Sequence, residues 1–170
     1  MNSVLEPDLH ALVAGVAAGL LASGRQLVAA ESCTGGWIAK TCTDLPGSSQ
    51  WFRGGVVAYC NELKVALLGV RPGTIASAGA VSEAVVREMA VGALERLGGE
   101  VAIAVSGIAG PEGGAPGKPV GTVWLAWARR CETGVQVHAV AACFAGDREQ
   151  VRRMAVHRAL AGMLEPTSPP

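Results

Sequence analysis

One globular domain of mixed α/β character is the fold class the sequence predicts, and three observations predict it. Several stretches carry apolar residues at three- and four-residue steps, short apolar or β-branched runs lie between them, and glycine- or proline-rich turns mark the joins. The chain has 170 residues, 50% of them hydrophobic and 16% charged, so it can bury a substantial core within the usual size of one domain. We expect a single domain over residues 1–170, frayed from about 165 to 170, where the sequence runs Glu-Pro-Thr-Ser-Pro-Pro.

Residues 8–23 place Leu9, Leu12, Val13, Val16, Ala17, Leu20 and Leu21 on one helical face, and Gly24 is the stop. Leu27-Val28-Ala29-Ala30 suits a short buried strand, and Trp37-Ile38-Ala39-Lys40-Thr41 suits a helix ending near Asp44. Leu45-Pro46-Gly47-Ser48-Ser49 is a turn by composition. Residues 51–59 favour a strand; alternation puts Arg53, Gly55, Val57 and Tyr59 on one face, and the paired Gly54 and Gly55 suggest a bulge or the close approach of a ligand. Asn61 can cap a short helix carrying Lys64, closed by Gly69 and Pro72-Gly73.

Ser82 caps the next helix, with Glu83 in its first turn, Val85, Val86, Met89, Ala90, Ala93, Leu94 and Leu97 along one face, and Gly98-Gly99 at its end. Val101-Ala102-Ile103-Ala104-Val105 reads as a central strand covered on both faces. Residues 121–128 and 134–142 read as a hairpin around a polar turn at 129–133. Asp147 opens the last helix, whose Arg148, Arg152, Arg153 and Arg158 read as a solvated face, with phosphate or partner binding as the alternative.

Lys plus Arg equals Asp plus Glu at 14 each, so no overall field recruits nucleic acid or an acidic membrane surface. Apolar runs are broken well before the ~18 residues a membrane-spanning helix needs. Residues 1–8 lack a basic segment followed by an uninterrupted apolar core, so a cytoplasmic location is expected. The five cysteines form no C-x-x-C pair and their odd number speaks against a closed disulfide framework; reduced, mostly buried thiols are expected. His10, His138 and His157 stand far apart, and no metal site is expected.

Chemistry concentrates at Ala30-Glu31-Ser32-Cys33-Thr34-Gly35-Gly36, which joins the first strand to a helix through small and hydroxylated residues. Unpaired N–H groups at Gly35 and Gly36, with the positive end of the helix dipole, would stabilise a phosphate or an oxyanion. The plain alternative is a strand-to-helix turn with Thr34 or Ser32 as an N-cap. A second feature is the glycine- and proline-rich loop 106–119, which contains Ser106, Gly107, Ala109, Gly110, Gly113 and Lys118 and exposes backbone donors. It does not match a P-loop: Glu112 stands where that motif needs glycine and Pro119 where it needs a hydroxyl.

Glu31 through Gly36, Pro46-Gly47-Ser48-Ser49, residues 54–59, the segment from Asn61 to Lys64, Gly79-Ala80-Val81-Ser82 and residues 106–121 together resemble the CinA C-terminal domain family, in the family's motif order and over nearly the whole chain. The resemblance implies a three-layer α/β/α sandwich around a mixed sheet. It also implies hydrolysis of the carboxamide of nicotinamide mononucleotide to nicotinate mononucleotide and ammonia, with no cofactor. The N-terminal domain of longer members has no counterpart here, so no pyrophosphatase activity is carried over. By the same resemblance Ser32 is the nucleophile, and Lys64 and Tyr59 take its proton or hold it.

A lysine serves as a base only where burial or a nearby cation lowers its pKa. Donors for the oxyanion are sought at Thr34, Gly35 and Gly36 or in the 106–110 loop. Phosphate-binding candidates are Ser48, Ser49, Gly54, Gly55 and the 107–113 loop, with Lys118 as a further cation. Cys33 is itself a plausible nucleophile, ranked below Ser32 because the resemblance places the nucleophile at the serine. Two other readings are a catalytically silent pyridine-nucleotide-binding regulator and an amidohydrolase for a different amide. Homo-oligomerisation is expected, a two-fold dimer first.

Overall fold

The structure is a computed structural model that describes residues 8–165. The segment 166–170, most of the tail expected to fray, lies outside the described residues, as do residues 1–7. Six helices and five strands follow in the order α1 (Leu9–Ser23), β1 (Leu27–Glu31), α2 (Trp37–Thr43), β2 (Phe52–Val57), α3 (Asn61–Leu68), α4 (Pro72–Ala78), α5 (Glu83–Leu97), β3 (Val101–Gly107), β4 (Thr122–Cys131), β5 (Gly134–Cys143) and α6 (Arg148–Ala161). The sheet has the order β2-β1-β3-β4-β5, with β1 parallel to both β2 and β3, and β4 and β5 antiparallel to their neighbours. The mixed α/β architecture expected from the sequence is what the chain adopts.

Two apolar clusters divide along the alternation of the central strands. Leu27, Ala29, Ile103, Val105, Leu125 and Trp127 face α1, α2 and α6. Val28, Ala30, Ala102, Ala104, Ala126 and Ala128 face α5. The second set is almost all alanine, so α5 lies close on the sheet. Its own Gly92 is in turn crossed by α3: a Cβ there would overlap the Leu68 carbonyl. Close packing at this point sets the position of α3, which carries Lys64.

Three local readings change. Pro72 does not simply close the preceding helix but opens α4 at its first turn, where its missing N–H costs nothing. The hairpin turn shrinks to residues 132–133, because Arg129 and Arg130 continue β4 in register with Gln136 and Val135. Arg130 is held there by the carbonyls of Gly99 and Leu94. Gly54 and Gly55 serve the bulge of the edge strand: register with β1 shifts between Leu27 and Val28, and Gly54 has a φ of 150°.

Replacing Gly92 by alanine is expected to cost about 1–3 kcal/mol of stability, since the clash is with backbone and cannot be relieved by a rotamer. Urea unfolding of Gly92→Ala beside wild type checks this.

Candidate active site

The carboxyl ends of the three parallel strands β1, β2 and β3 lie at one edge of the sheet. After β1 the chain goes to β2 on one side; after β3 it goes to β4 on the other. Ligand clefts in such sheets form where the connections diverge in this way. Here the cleft encloses about 300 Å³ and is lined by Ser32 and Cys33 after β1, Tyr59, Asn61 and Lys64 after β2, Ser106 to Gly110 at and after β3, Ala80, Val81, Glu112, Gly113 and Arg148.

Ser32 continues the β1–β3 ladder, its N–H donating to the Val105 carbonyl at 3.0 Å. Lys64, in the first turn of α3, is only 2% exposed. Its Nζ donates to Ser32 Oγ, to the Ala58 carbonyl and to the Tyr59 carbonyl, each at 3.0 Å. No carboxylate is among these partners. Burial pushes the Lys64 pKa below the ordinary lysine value, because the charged form loses hydration. When the amine is neutral, its two N–H groups satisfy the two carbonyls and its lone pair is left for the serine hydroxyl. That arrangement can accept a proton from Ser32.

The turn after Ser32 is built differently from the expectation. Neither Ser32 nor Thr34 caps α2, and the N–H groups at its start do not await an anion. The buried Glu31 carboxylate already receives them, Oε2 from Gly36 at 3.0 Å and Ile38 at 3.1 Å, Oε1 from Ala39 at 2.8 Å. Gly35 N–H donates to the Ser32 carbonyl. Gly35 and Gly36, with φ of 62° and 94°, therefore shape the turn. Arg152 braces the same turn from α6, donating to the carbonyls of Cys33 at 3.0 Å and Thr34 at 2.9 Å while its guanidinium lies over Trp37.

Among the described residues, the donors left without a partner at or beside the cleft include the amides of Cys33 and Thr34 on one side and of Ala109 and Gly110 on the other. Thr34 is fully buried, its Oγ1 unpartnered.

The other expected residues divide. Ser106, Gly107, Ala109, Gly110 and Gly113 line the cleft, and Ser106 Oγ donates to the Ala80 carbonyl at 2.8 Å. Ser48 and Ser49 form a short 3-10 turn before β2, and Gly54 and Gly55 pair with Val28 and Ala29; none of the four lines the cleft. Lys118 donates to the Ala78 carbonyl at 2.9 Å and also stands outside it. Tyr59 lines the cleft, but its phenol does not meet Ser32: its carbonyl receives Lys64 and its hydroxyl receives Arg148 Nη2 at 2.9 Å.

Arg148 and Arg152, for which a solvated helix face is the leading expectation, instead stand at the cleft and at the turn beside it. The available signal was their position three residues before the apolar Val151 and Ala155, at the margin of the buried stripe of α6. The cysteines also differ from expectation: Cys33 and Cys42 are buried, Cys131 is half-buried, and Cys60 and Cys143 are exposed. Burial pushes the Cys33 thiol up to about 12, which keeps it protonated and a poor nucleophile at neutral pH.

The fold and cleft together define an α/β protein with a buried serine–lysine pair at the head of its central parallel strands. The particular family follows from comparison: the CinA C-terminal domain model matches residues 9–166, and the chain belongs to that family. It is similar to the nicotinamide-nucleotide amidohydrolase PncC of Escherichia coli K12, at 50% identity over 155 residues, 91% of this chain and 92% of that protein. The Pseudomonas putida protein of the same name is 51% identical over 82% of this chain and 85% of its own length. Among solved structures, the competence damage-inducible protein A of Klebsiella pneumoniae superposes with a TM-score of 0.89 at 46% identity, covering 94% of this chain and 97% of that one.

Glu31→Gln is expected to lose about 2–4 kcal/mol of stability, since an amide offers one acceptor oxygen to three backbone donors and turns its own NH₂ on them. Chemical denaturation checks the loss.

Proposed function

We propose that this chain is a nicotinamide-nucleotide amidohydrolase, converting nicotinamide mononucleotide to nicotinate mononucleotide and ammonia through Ser32. The observation that carries the reading is the Lys64 amine, buried without a carboxylate and 3.0 Å from Ser32 Oγ. The similarity to relatives named for this activity supplies the substrate.

Ser32 Oγ attacks the carboxamide carbon as its proton passes to the neutral Lys64 amine. The carbonyl oxygen takes the negative charge, and in this reading it is received by unpartnered amides, those of Cys33 and Thr34 or those of Ala109 and Gly110. Collapse of the tetrahedral intermediate breaks the C–N bond, and the Lys64 ammonium protonates the departing nitrogen to give ammonia. The nicotinoyl ester on Ser32 is then hydrolysed by water, whose proton Lys64 accepts in turn; the serine is regenerated and a carboxylate leaves. Tyr59 acts in this scheme through its backbone, as one of the carbonyls that orient the amine.

Among the described residues no helix is long and apolar enough to cross a membrane, and a cytoplasmic location remains part of the reading. A two-fold dimer is also part of it, supported by the exposed Val57, Leu63 and Leu67 along edge strand β2 and helix α3.

Two outcomes test the assignment by ammonia release from nicotinamide mononucleotide. Ser32→Ala is expected to lower kcat by about 1,000-fold or more, and Cys33→Ala by less than about 10-fold; the reverse pattern would sink the serine mechanism. The pH profile follows from the direction of the Lys64 shift. The amine must be neutral to act, so kcat/KM rises with pH along an acid limb whose midpoint lies below the ordinary lysine value of ~10.4. A profile flat across the range where wild type is folded contradicts Lys64 as the base.

A further inference from the structure

A second cavity lies at the other end of the sheet. It encloses about 250 Å³ between α1, the start of β3, the far end of β4 and the 3-10 turn Gly162–Leu164 that follows α6. Strand β3 runs from Val101 at this cavity to Ser106 and Gly107 at the catalytic cleft, about 20 Å away at the rise of a strand. We propose that the cavity is a second ligand site, which takes a small organic monoanion with an apolar body, an aromatic carboxylate being the simplest form. The proposal is independent of the amidase reading.

The walls are apolar, formed by Val16 and Leu20 of α1 with Val101, Trp127, Met163 and Leu164. Three glycines shape them. Gly162 lets the turn after α6 lie directly on Trp127, since a Cβ there would overlap the indole ring. The turn then sets Leu164 against α1 at Gly15, where a Cβ would come within 3.3 Å of it. One helical turn further on, Gly19 lines the cavity and leaves its wall open: a Cβ there would meet nothing within 4 Å.

Charge enters from two arginines on one side of the sheet. Arg129 pairs with Val101 in the β3–β4 ladder, and Arg25 stands two residues before Leu27, which pairs with Val101 from β1. Both line the cavity and both are half-buried. Arg129 Nε is buried without a partner, and among the described residues neither guanidinium meets an acceptor or a carboxylate. A buried donor left unmade is unfavourable, and an anion in the cavity would supply its acceptor. The neighbouring carboxylates are already engaged. Glu165, also in the lining, is paired with Arg158, and Glu100, next to Val101 in the chain, accepts the Gln26 N–H at 2.8 Å. Two unanswered positive charges therefore stand beside an apolar wall. A carboxylate suits the forked N–H groups, and an apolar body suits the wall.

The test is calorimetric titration of the full chain with three probes: p-isopropylbenzoate, p-isopropylbenzyl alcohol, which keeps the apolar body and lacks the charge, and inorganic phosphate. The carboxylate is expected to bind with a Kd of about 0.1–1 mM, the alcohol at least about 10-fold more weakly, and phosphate more weakly still. Arg129→Met is expected to weaken the carboxylate by about 10-fold and the alcohol by less than about 3-fold. Arg25→Met serves in its place should Arg129→Met not fold. The proposal is overturned by a carboxylate that does not bind up to about 10 mM, by equal affinity for carboxylate and alcohol, or by phosphate binding as tightly as the carboxylate.

Gly19→Leu fills the cavity from a helical position that has room for a side chain. It is expected to melt at or above the wild-type temperature, because leucine is a better helix former than glycine, and to abolish binding of the carboxylate. A carboxylate that binds Gly19→Leu and the arginine variants as tightly as wild type is held elsewhere, the catalytic cleft included, and the proposal falls.

Discussion

A lysine amine buried at the end of a sheet is the constraint on which the rest of this structure depends. An ammonium at 2% exposure loses most of its hydration, and the protein returns three oxygens and no carboxylate in hydrogen-bond contact, Glu62 acting on it only as the weakest of several charges. A carboxylate in their place would hold the lysine protonated and useless as a base. Neutral oxygens satisfy the N–H groups and leave the proton affinity low. Those oxygens must be held in place, and the surrounding packing does so. The Ala58 and Tyr59 carbonyls follow directly from the paired strand β2, the Ala58 N–H donates to the Glu31 carbonyl, and α3 is seated against α5 at the Gly92 contact.

The same edge of the sheet handles negative charge in two places. Glu31 is one residue from the serine, yet its carboxylate turns to the start of α2 and is consumed by three backbone N–H groups. A helix N-terminus that might have bound a substrate anion is thereby used to lock the turn, and Arg152 locks it from the other side through two carbonyls. Across the cleft stand the 107–113 loop and Arg148 at the start of α6.

Much of this was legible in the sequence because it follows from local patterns. The helical face of 8–23, the continuous apolar run of β3 and the Ser82 cap of α5 are each set by their own residues and appear where expected. The juxtaposition of Ser32 with Lys64 came from family resemblance, since 32 residues separate them and no local period connects them. What stayed hidden depends on tertiary placement. Glu31 reads as one more residue of a polar motif until the fold buries it against α2. Arg148 and Arg152 read as solvated until α6 is laid beside the turn and the 107–113 loop. Gly54 and Gly55 carry the glycine signal of a ligand site, but an edge strand that must bulge to keep register needs the same residue.

Which of the two neighbours, Ser32 or Cys33, meets the Lys64 amine is decided by the period of the strand. Leu27 and Ala29 face α1, α2 and α6, Val28 and Ala30 face α5, and the alternation carries on past the end of β1. Glu31 continues the first set and reaches α2; Cys33 does so as well and packs among Val105 and Val123 in that core. Ser32 continues the second set and meets the amine of α3. In its apolar setting the thiol is pushed up to about 12, so it is neither beside the base nor ionised. Exchanging the two residues' roles would take a one-residue slip of β1, which would turn every apolar side chain of the strand to the opposite layer. The register that buries the strand is therefore the register that sets Ser32, and not Cys33, beside the Lys64 amine.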